Sequence, residues 1–227
     1  MIATDYNIYK ENSLKLSSNN NLELFKTLLQ PHFLFNSLNN LYALSLSKSD
    51  KTSDAIVNLS QLLEKVVSYS TCEMIPLCDE IQLIQDYIKM EKTWLGECSF
   101  LIDLRVKGDI DSISVPPLTI YTLVENAFKH GIRKCTDQAG WITINILVKK
   151  GRVYCKIRNA CPGTNGIDRD VPIKGTGIGL EAIVNMLNST YKNKYILDSK
   201  RVDNVYCVDL LLEDIQVPSH TPTLKVL

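Results

Sequence analysis

No run of eighteen consecutive apolar residues occurs in this chain of 227 residues, so no segment has the make-up of a membrane-spanning helix. There is no CxxC pair among the seven cysteines at 72, 78, 98, 135, 155, 161 and 207, and their number is odd. That pattern fits reduced packing thiols in a cytoplasmic protein better than a disulfide framework. Histidine is scarce: His32, His130 and His220 are all there is, too few for a zinc site of clustered Cys and His. An excess of one charge is missing too, since 25 Lys and Arg balance 25 Asp and Glu and the pI is near 6.8. Without a basic block, nucleic acid is not expected as a direct partner. The opening residues MIATDYNIYKENS lack the apolar stretch of a signal peptide. Internal repeats and low-complexity tracts are also absent.

What is present is enough for a core. Apolar residues make up 45% of the chain, and the length suits one large domain or two small ones. Residues 1–20 are polar and read as a lead-in. Leu22, Phe25, Leu28, Leu29, Phe33, Leu34, Phe35, Leu38 and Leu41 then recur at helical spacing. Pro31 removes a backbone donor and predicts a kink or restart just before His32. After a polar turn at 47–53, residues 54–70 carry a second apolar face through Ile56, Leu59, Leu62, Leu63, Val66 and Val67. The two helices form an antiparallel hairpin, and a face this broad is often completed by dimerisation into a four-helix bundle.

Pro76 marks the next break, and 77–95 reads as a helix with Leu77, Ile81, Ile84, Ile88 and Trp94 on one side. From about residue 98 strands appear: FLIDLRV at 100–106, WITINILVKK from 141 and RVYCKIRNA from 152, with KKGR as a hairpin turn between the last two. PPLTIYTLVENAFKH reads as a helix with proline at its start. Residues 160–177 form a long loop rich in Gly, Pro and Asp, a length usual for functional lids. A helix over about 178–190 and strands at 194–198 and 204–212 follow. The expected fold class is α+β. A helical hairpin precedes a two-layer sandwich whose helices cover one face of a mixed, mostly antiparallel sheet. The expected division is 1–96 for the hairpin and connecting helix, 97–213 for the sandwich, and 214–227 for a tail.

Three segments carry chemistry. In PHFLFNSLN, Phe35, Asn36 and Asn39 fall on the same helical face as His32. A neutral imidazole can act as a nucleophile, and Asn36 could orient it or a water; a capping or core histidine beside a kink is the plainer reading. In LVENAFKHG, Glu125, Asn126, Lys129 and His130 share one helix end. The Asn126 side-chain oxygen suits Mg²⁺, and Glu125 could position a metal-bound water. Lys129 supplies a point charge for phosphate. The plainer reading is a polar helix end with Lys and His at its C-terminus. In GTGIGL, Gly175, Thr176, Gly177, Ile178, Gly179 and Leu180 open a helix whose N-terminus favours an anion. This turn follows a long loop and not a strand, which argues against a dinucleotide-binding fingerprint.

Together these segments resemble the LytS-like sensor histidine kinases, whose ATP-binding domain belongs to the superfamily shared by gyrase B, Hsp90 and MutL. PHFLFNSLN is similar to the family's histidine box, LVENAFKHG to its N box and GTGIGL to its second glycine box. DEIQLIQDYIKMEKTW at 79–94 is similar to the segment joining the two domains. The resemblance covers about residues 20–213. It implies ATP and Mg²⁺ as cofactors, His32 as phosphoacceptor, and Glu125 and Asn36 as catalytic helpers. It assigns Mg²⁺ to Asn126. Lys129, His130, Asn159, Gly163, Gly175, Thr176, Gly177, Ile178, Gly179 and Leu180 would join Asn126 in binding ATP. It further implies a homodimer and a response-regulator partner, in this family often one with a LytTR DNA-binding domain. The location implied is the cytoplasmic part of an inner-membrane protein, with membrane contact only through a sensor part absent from this chain.

Some positions depart from the family's pattern. The superfamily's first glycine box reads Asp-x-Gly-x-Gly, its aspartate accepting the adenine amino group. Here the stretch is Asn159, Ala160, Cys161, Pro162, Gly163. The Asn159 amide oxygen can still accept one hydrogen bond, while the first glycine is lost to Cys161. Phe33 follows the histidine where many other histidine kinases have an acid, an absence shared with the LytS-like family. Thr93 stands where an arginine is often found. Two alternatives follow: a degenerate kinase acting as a nucleotide-binding or dimeric signalling module, and a non-kinase ATPase or chaperone of the same superfamily. The match at 31–39 argues against the second.

Overall fold

The computed structural model describes residues 31–95, 100–132, 140–160, 178–192 and 194–213. For residues 31–33, 178 and 179 only the backbone course is described. The expectations for 1–30, for the loop 161–177 and for 214–227 lie outside the described residues, as do Cys98, Cys135, Cys161 and His220.

The described residues begin with two helices, α1 (Pro31–Leu46) and α2 (Thr52–Ser70). Proline at the first position costs nothing there, because its missing N–H would have no partner in the first turn. The turn between the helices uses Lys48 at φ 50° and is closed by the Thr52 hydroxyl donating to the Ser49 carbonyl at 2.7 Å. The apolar face expected on the second helix is divided. Ala55, Leu59, Leu62 and Val66 turn inward and are buried, whereas Ile56, Val57 and Val67 are exposed.

A two-residue strand, β1 (Ile75–Pro76), leads directly into α3 (Leu77–Leu95). β1 pairs antiparallel with β3 (Ser114–Val115), and the Leu77 amide donates to the Ile113 carbonyl at 2.8 Å. This short ladder was not foreseen from the sequence. α3 runs over the residues expected of it but is buried on more than one side. Leu83, Tyr87, Met90, Glu80 and Glu91 are buried along with Leu77, Ile81, Ile84 and Ile88. The cause is position: α3 lies between α2 and α4 (Thr119–His130) and shares one apolar core with both.

The main sheet has five strands in the order β2-β4-β5-β7-β6. They are β2 (Leu101–Lys107), β4 (Trp141–Lys149), β5 (Arg152–Ala160), β6 (Tyr195–Val202) and β7 (Val205–Leu212). β2 and β4 are parallel and the other pairs antiparallel, so the sheet is mixed and mostly antiparallel as expected. β4 and β5 alternate strictly. Ile142, Ile144, Ile146, Val153, Cys155 and Ile157 face the helices and are buried, the period-2 signature of a sheet covered on one side. Lys150 and Gly151, at φ 53° and 68°, make the β4–β5 turn, which matches a two-residue type I′ connection. α5 (Ile178–Tyr191) completes the helical layer through Ala182, Ile183, Met186 and Leu187.

One helix starts later than the sequence predicted. α4 begins at Thr119 and not at the paired prolines, because Leu118 sits in the left-handed region at φ 63°. A helix cannot run through that conformation. The Thr119 hydroxyl donates back to the Pro116 carbonyl at 2.9 Å, fixing the bend.

Candidate functional site

The site is built on the end of α4. Residues 119–124, 127 and 128 of this helix are buried, and Tyr87 of α3 meets both Tyr121 and Phe128 edge-on, at 5.2 and 5.3 Å between ring centroids. Edge-to-face contacts at that spacing add to the burial of the rings themselves. With that much of the helix locked, its last turn and a half carries the polar groups. Glu125 and Asn126 are half-buried, and Lys129 and His130 are exposed. The two basic residues stand where the helix macrodipole favours them. Glu125 and His130 each have a further contact and are not free groups.

Gly131 closes α4 and joins it to β5. Its amide donates to the Ala127 carbonyl at 2.9 Å. A Cβ at this position would lie 2.5 Å from the Ala127 carbonyl oxygen, 2.5 Å from the Asn159 side-chain nitrogen and 3.0 Å from the Ala160 oxygen. The final glycine of LVENAFKHG is therefore a packing requirement. It brings two segments that are separate in sequence, the end of α4 and the end of β5, into contact.

Asn159 is buried, and its Nδ2 donates to the Ala160 carbonyl at 2.9 Å. Its Oδ1 is also buried and has no hydrogen-bond partner. A buried acceptor in that state costs on the order of 1–3 kcal/mol, a cost that a donor reaching it would remove. An adenine amino group is such a donor, and the residues fit that role.

The other expected residues are distributed as follows. His32 is the second residue of α1, with Asn36 one turn on; Asn36 is half-buried and not free of partners, and Ser37 beside it is buried. Ile178 and Gly179 form the first turn of α5, which packs on α4, and Leu180 is half-buried against the core. Gly163, Gly175, Thr176 and Gly177 lie outside the described residues. Among the described residues no group of three or more His, Cys, Asp or Glu is placed to hold a metal ion. A magnesium ion that keeps most of its waters needs only one or two protein oxygens, and the Asn126 and Glu125 side chains offer those. Of the described cysteines, Cys78, Cys155 and Cys207 are free thiols, and the Cys72 thiol donates to the Ser68 carbonyl at 3.6 Å. No helix among the described residues is long and apolar enough to cross a membrane.

Sequence reasoning missed Glu80. This α3 carboxylate is completely buried and accepts three backbone N–H bonds at the start of α4: Leu118 at 2.8 Å on one oxygen, Ile120 at 2.9 Å and Tyr121 at 3.0 Å on the other. α4 has no acidic residue in its first turn and no cap from its own Leu118, so a residue about forty positions upstream does the capping. Burial pushes the Glu80 carboxyl up to about 7, against the pull of those three bonds. The signal that could have found it is its place on the apolar stripe of α3, between Leu77 and Ile81.

The fold defines a class: an α+β sandwich carried behind a helical hairpin that bears a histidine. The family model described as histidine kinase matches residues 20–98. The chain is 31% identical over 175 residues to the sensor histidine kinase YpdA of Escherichia coli K12, covering 75% of this chain and 29% of that protein. It is 27% identical over 157 residues to the sensor protein LytS of Bacillus subtilis 168, covering 69% of this chain and 26% of that protein. Among solved structures, the blue-light activated histidine kinase of Erythrobacter litoralis matches at 17% identity and a TM-score of 0.45, over 79% of this chain and 57% of that one. The chain thus spans between a quarter and a third of the length of these two sequence relatives. Over the part that it spans, the chain belongs to the LytS-like sensor histidine kinases.

Proposed function

We propose that this chain is the catalytic part of a two-component sensor histidine kinase. It phosphorylates His32 from ATP and passes the phosphoryl group to an aspartate of a response regulator. The observation that carries this reading is the joint at Gly131, where the end of α4 packs against the Asn159 amide nitrogen while the Oδ1 of the same side chain stays buried and unpartnered. Asn159 accepts the adenine amino group. Lys129 draws in the phosphates, and the glycine-led start of α5 offers them backbone N–H groups. Asn126, helped by Glu125, holds Mg²⁺, which when bound neutralises charge on the phosphate oxygens. The His32 ring nitrogen attacks the γ-phosphorus in line. A nitrogen–phosphorus bond forms, the bond to the bridging oxygen breaks, and ADP leaves. Positioning and charge supply most of the catalysis in such a reaction, which suits a site that offers few reactive groups.

The hairpin supports a homodimer. Phe35, Leu38, Tyr42 and Leu46 of α1 are 56–66% exposed and follow one another at three- and four-residue spacing. With Ile56, Val57 and Val67 of α2 they leave an apolar surface that a second hairpin would cover. The division of labour follows: a dimerising, phosphoaccepting part over 1–96, an ATP-binding part over 97–213, and a tail. The regulator is of the LytTR type, and the location is the cytoplasmic side of an inner-membrane sensor.

One observation favours a second reading. Asn159 is neutral and already spends its amide on Ala160, which is weaker provision for adenine than a carboxylate; a degenerate, nucleotide-poor signalling module would look like this. Labelled ATP with Mg²⁺ separates the two. The kinase reading expects acid-labile, alkali-stable label on the wild-type chain and none on His32→Gln, with the variant folded as before. Label surviving in the variant sinks His32 as acceptor. No label together with no ATP binding in a titration gives the second reading.

A further inference from the structure

An open groove of about 550 Å³ lies between the start of α2, the second half of α3 and the edge strand β2. Ile88, Ile102 and Leu104 contribute its apolar lining, Gln85 and Thr93 its neutral polar groups, and Lys51, Lys89 and Lys92 its charge. None of these residues belongs to the nucleotide site.

Three features set the groove apart from an ordinary lysine-bearing surface. Its lining contains no acidic side chain. Among the described residues no carboxylate pairs with Lys51, Lys89 or Lys92; the one polar contact of Lys89 is with the neutral Asn58 oxygen, at 3.4 Å. The carboxylates that α3 could offer are committed elsewhere. Asp86, one turn before Lys89, is paired with Lys65 at 2.6 Å and accepts from Gln82, and Glu91 is buried. Lys89 and Lys92, three apart on one helix, repel each other, and Lys51 reaches the same groove from the hairpin turn. Positive charge gathered over an apolar floor, without internal neutralisation, is complementary to an anion with an apolar body. The volume falls in the range of small-molecule sites.

We propose that this groove binds a small organic anion, a carboxylate- or phosphate-bearing metabolite with an aliphatic or aromatic body. The anionic groups lie against the three ammonium groups and the body lies on Ile88, Ile102 and Leu104. The ligand thereby ties the hairpin turn to α3 and to the edge of the sheet.

Anilinonaphthalene sulfonate, an anion on an apolar ring system, is the probe. It is titrated into the isotopically labelled full chain while backbone amide shifts are followed. The expected result is shifts concentrated at 89–93, 102–104 and Lys51, with affinity roughly tenfold weaker in a Lys89→Gln/Lys92→Gln double variant, as loss of charge-assisted contacts implies. Lys51→Gln, which leaves α3 untouched, should weaken binding in the same direction, and circular dichroism checks that each variant is folded. Displacement by citrate assigns carboxylate chemistry, and displacement by pyrophosphate assigns phosphate. Shifts confined to the exposed faces of α1 and α2, unchanged affinity in the variants, or displacement by neither anion would each overturn the proposal.

Discussion

The two ends of α4 are opposites. At its start, Leu118, Ile120 and Tyr121 donate to a carboxylate sealed from water. At its finish, about 18 Å away for twelve residues, Glu125, Asn126, Lys129 and His130 range from half-buried to exposed, beside an acceptor on Asn159 that has no partner. One end has three backbone donors satisfied by a buried ionisable group. The other presents the exposed Lys129 near the unpartnered Asn159 oxygen. The contrast teaches that the helix is anchored at its start by a carboxylate from another helix, which fixes where its other end places its polar side chains.

The largest expected effect comes from breaking the anchored end. Glu80→Ala leaves three buried N–H groups without an acceptor and opens a cavity. Each buried N–H left without an acceptor costs on the order of 1–3 kcal/mol, so a loss of about 3 kcal/mol or more is expected, measured as the loss of unfolding free energy in urea. Glu80→Gln fills the same volume and keeps one accepting oxygen, so its loss should be clearly smaller. A loss under about 1 kcal/mol for the alanine variant would mean that the start of α4 is not held from α3.

The same group gives a pH signature. Its folded pKa, raised by burial to about 7, lies above the ordinary 4.5, so between those values the folded state binds more protons than the unfolded. The contribution of Glu80 to stability is therefore greatest below about pH 4.5. It declines as pH rises to about 7 and is level above, by on the order of 3 kcal/mol in all. Tyr69 of α2 and Cys155 of β5 feel the Glu80 charge, but both are pushed up to about 12 and do not titrate in this window. Urea midpoints from pH 5 to 8 should show a decline that is absent in Glu80→Gln; parallel profiles would refute the assignment.

A change at the joint tests whether the open end depends on being packed. In Gly131→Ala the new methyl meets backbone oxygen and a buried amide at 2.5 Å, neither of which is the loose end of a flexible side chain. Overpacking of that kind costs about 1–3 kcal/mol. Because the amide belongs to Asn159, ATP affinity should fall with it. A variant that loses stability but binds ATP as before would separate Asn159 from the nucleotide.

This contrast was only half legible in the sequence. The open end could be read because its residues are chemically conspicuous: Glu125, Asn126, Lys129 and His130 interrupt a helical apolar pattern. Strands β4 and β5 were legible because strict alternation and a KKGR turn have few other meanings. The anchored end was not. A glutamate forty residues upstream shows nothing locally of the amides it will meet, and the left-handed turn at Leu118 is imposed by tertiary packing against that carboxylate, overriding the usual preference for proline at a helix start. β1 and β3 were missed for a related reason. Two-residue strands carry no periodicity, and their pairing is set by where α3 and α4 lie.

Lys129→Gln sharpens the comparison from the other side. The side chain is exposed, and among the described residues it has no ion pair or hydrogen bond to lose. It does interact favourably with the carbonyl end of α4, worth about 0.3–1 kcal/mol at such a position, so stability should change by less than about 1 kcal/mol. Binding is another matter. If the ammonium meets a phosphate, its loss removes a charge-assisted contact and ATP affinity should drop roughly tenfold, with adenosine affinity unchanged because adenosine has no phosphate. Titrating both ligands into both proteins decides it. An equal loss for ATP and adenosine would mean that Lys129 shapes the helix end and does not meet phosphate; a selective loss for ATP would put the phosphates at the exposed end of α4.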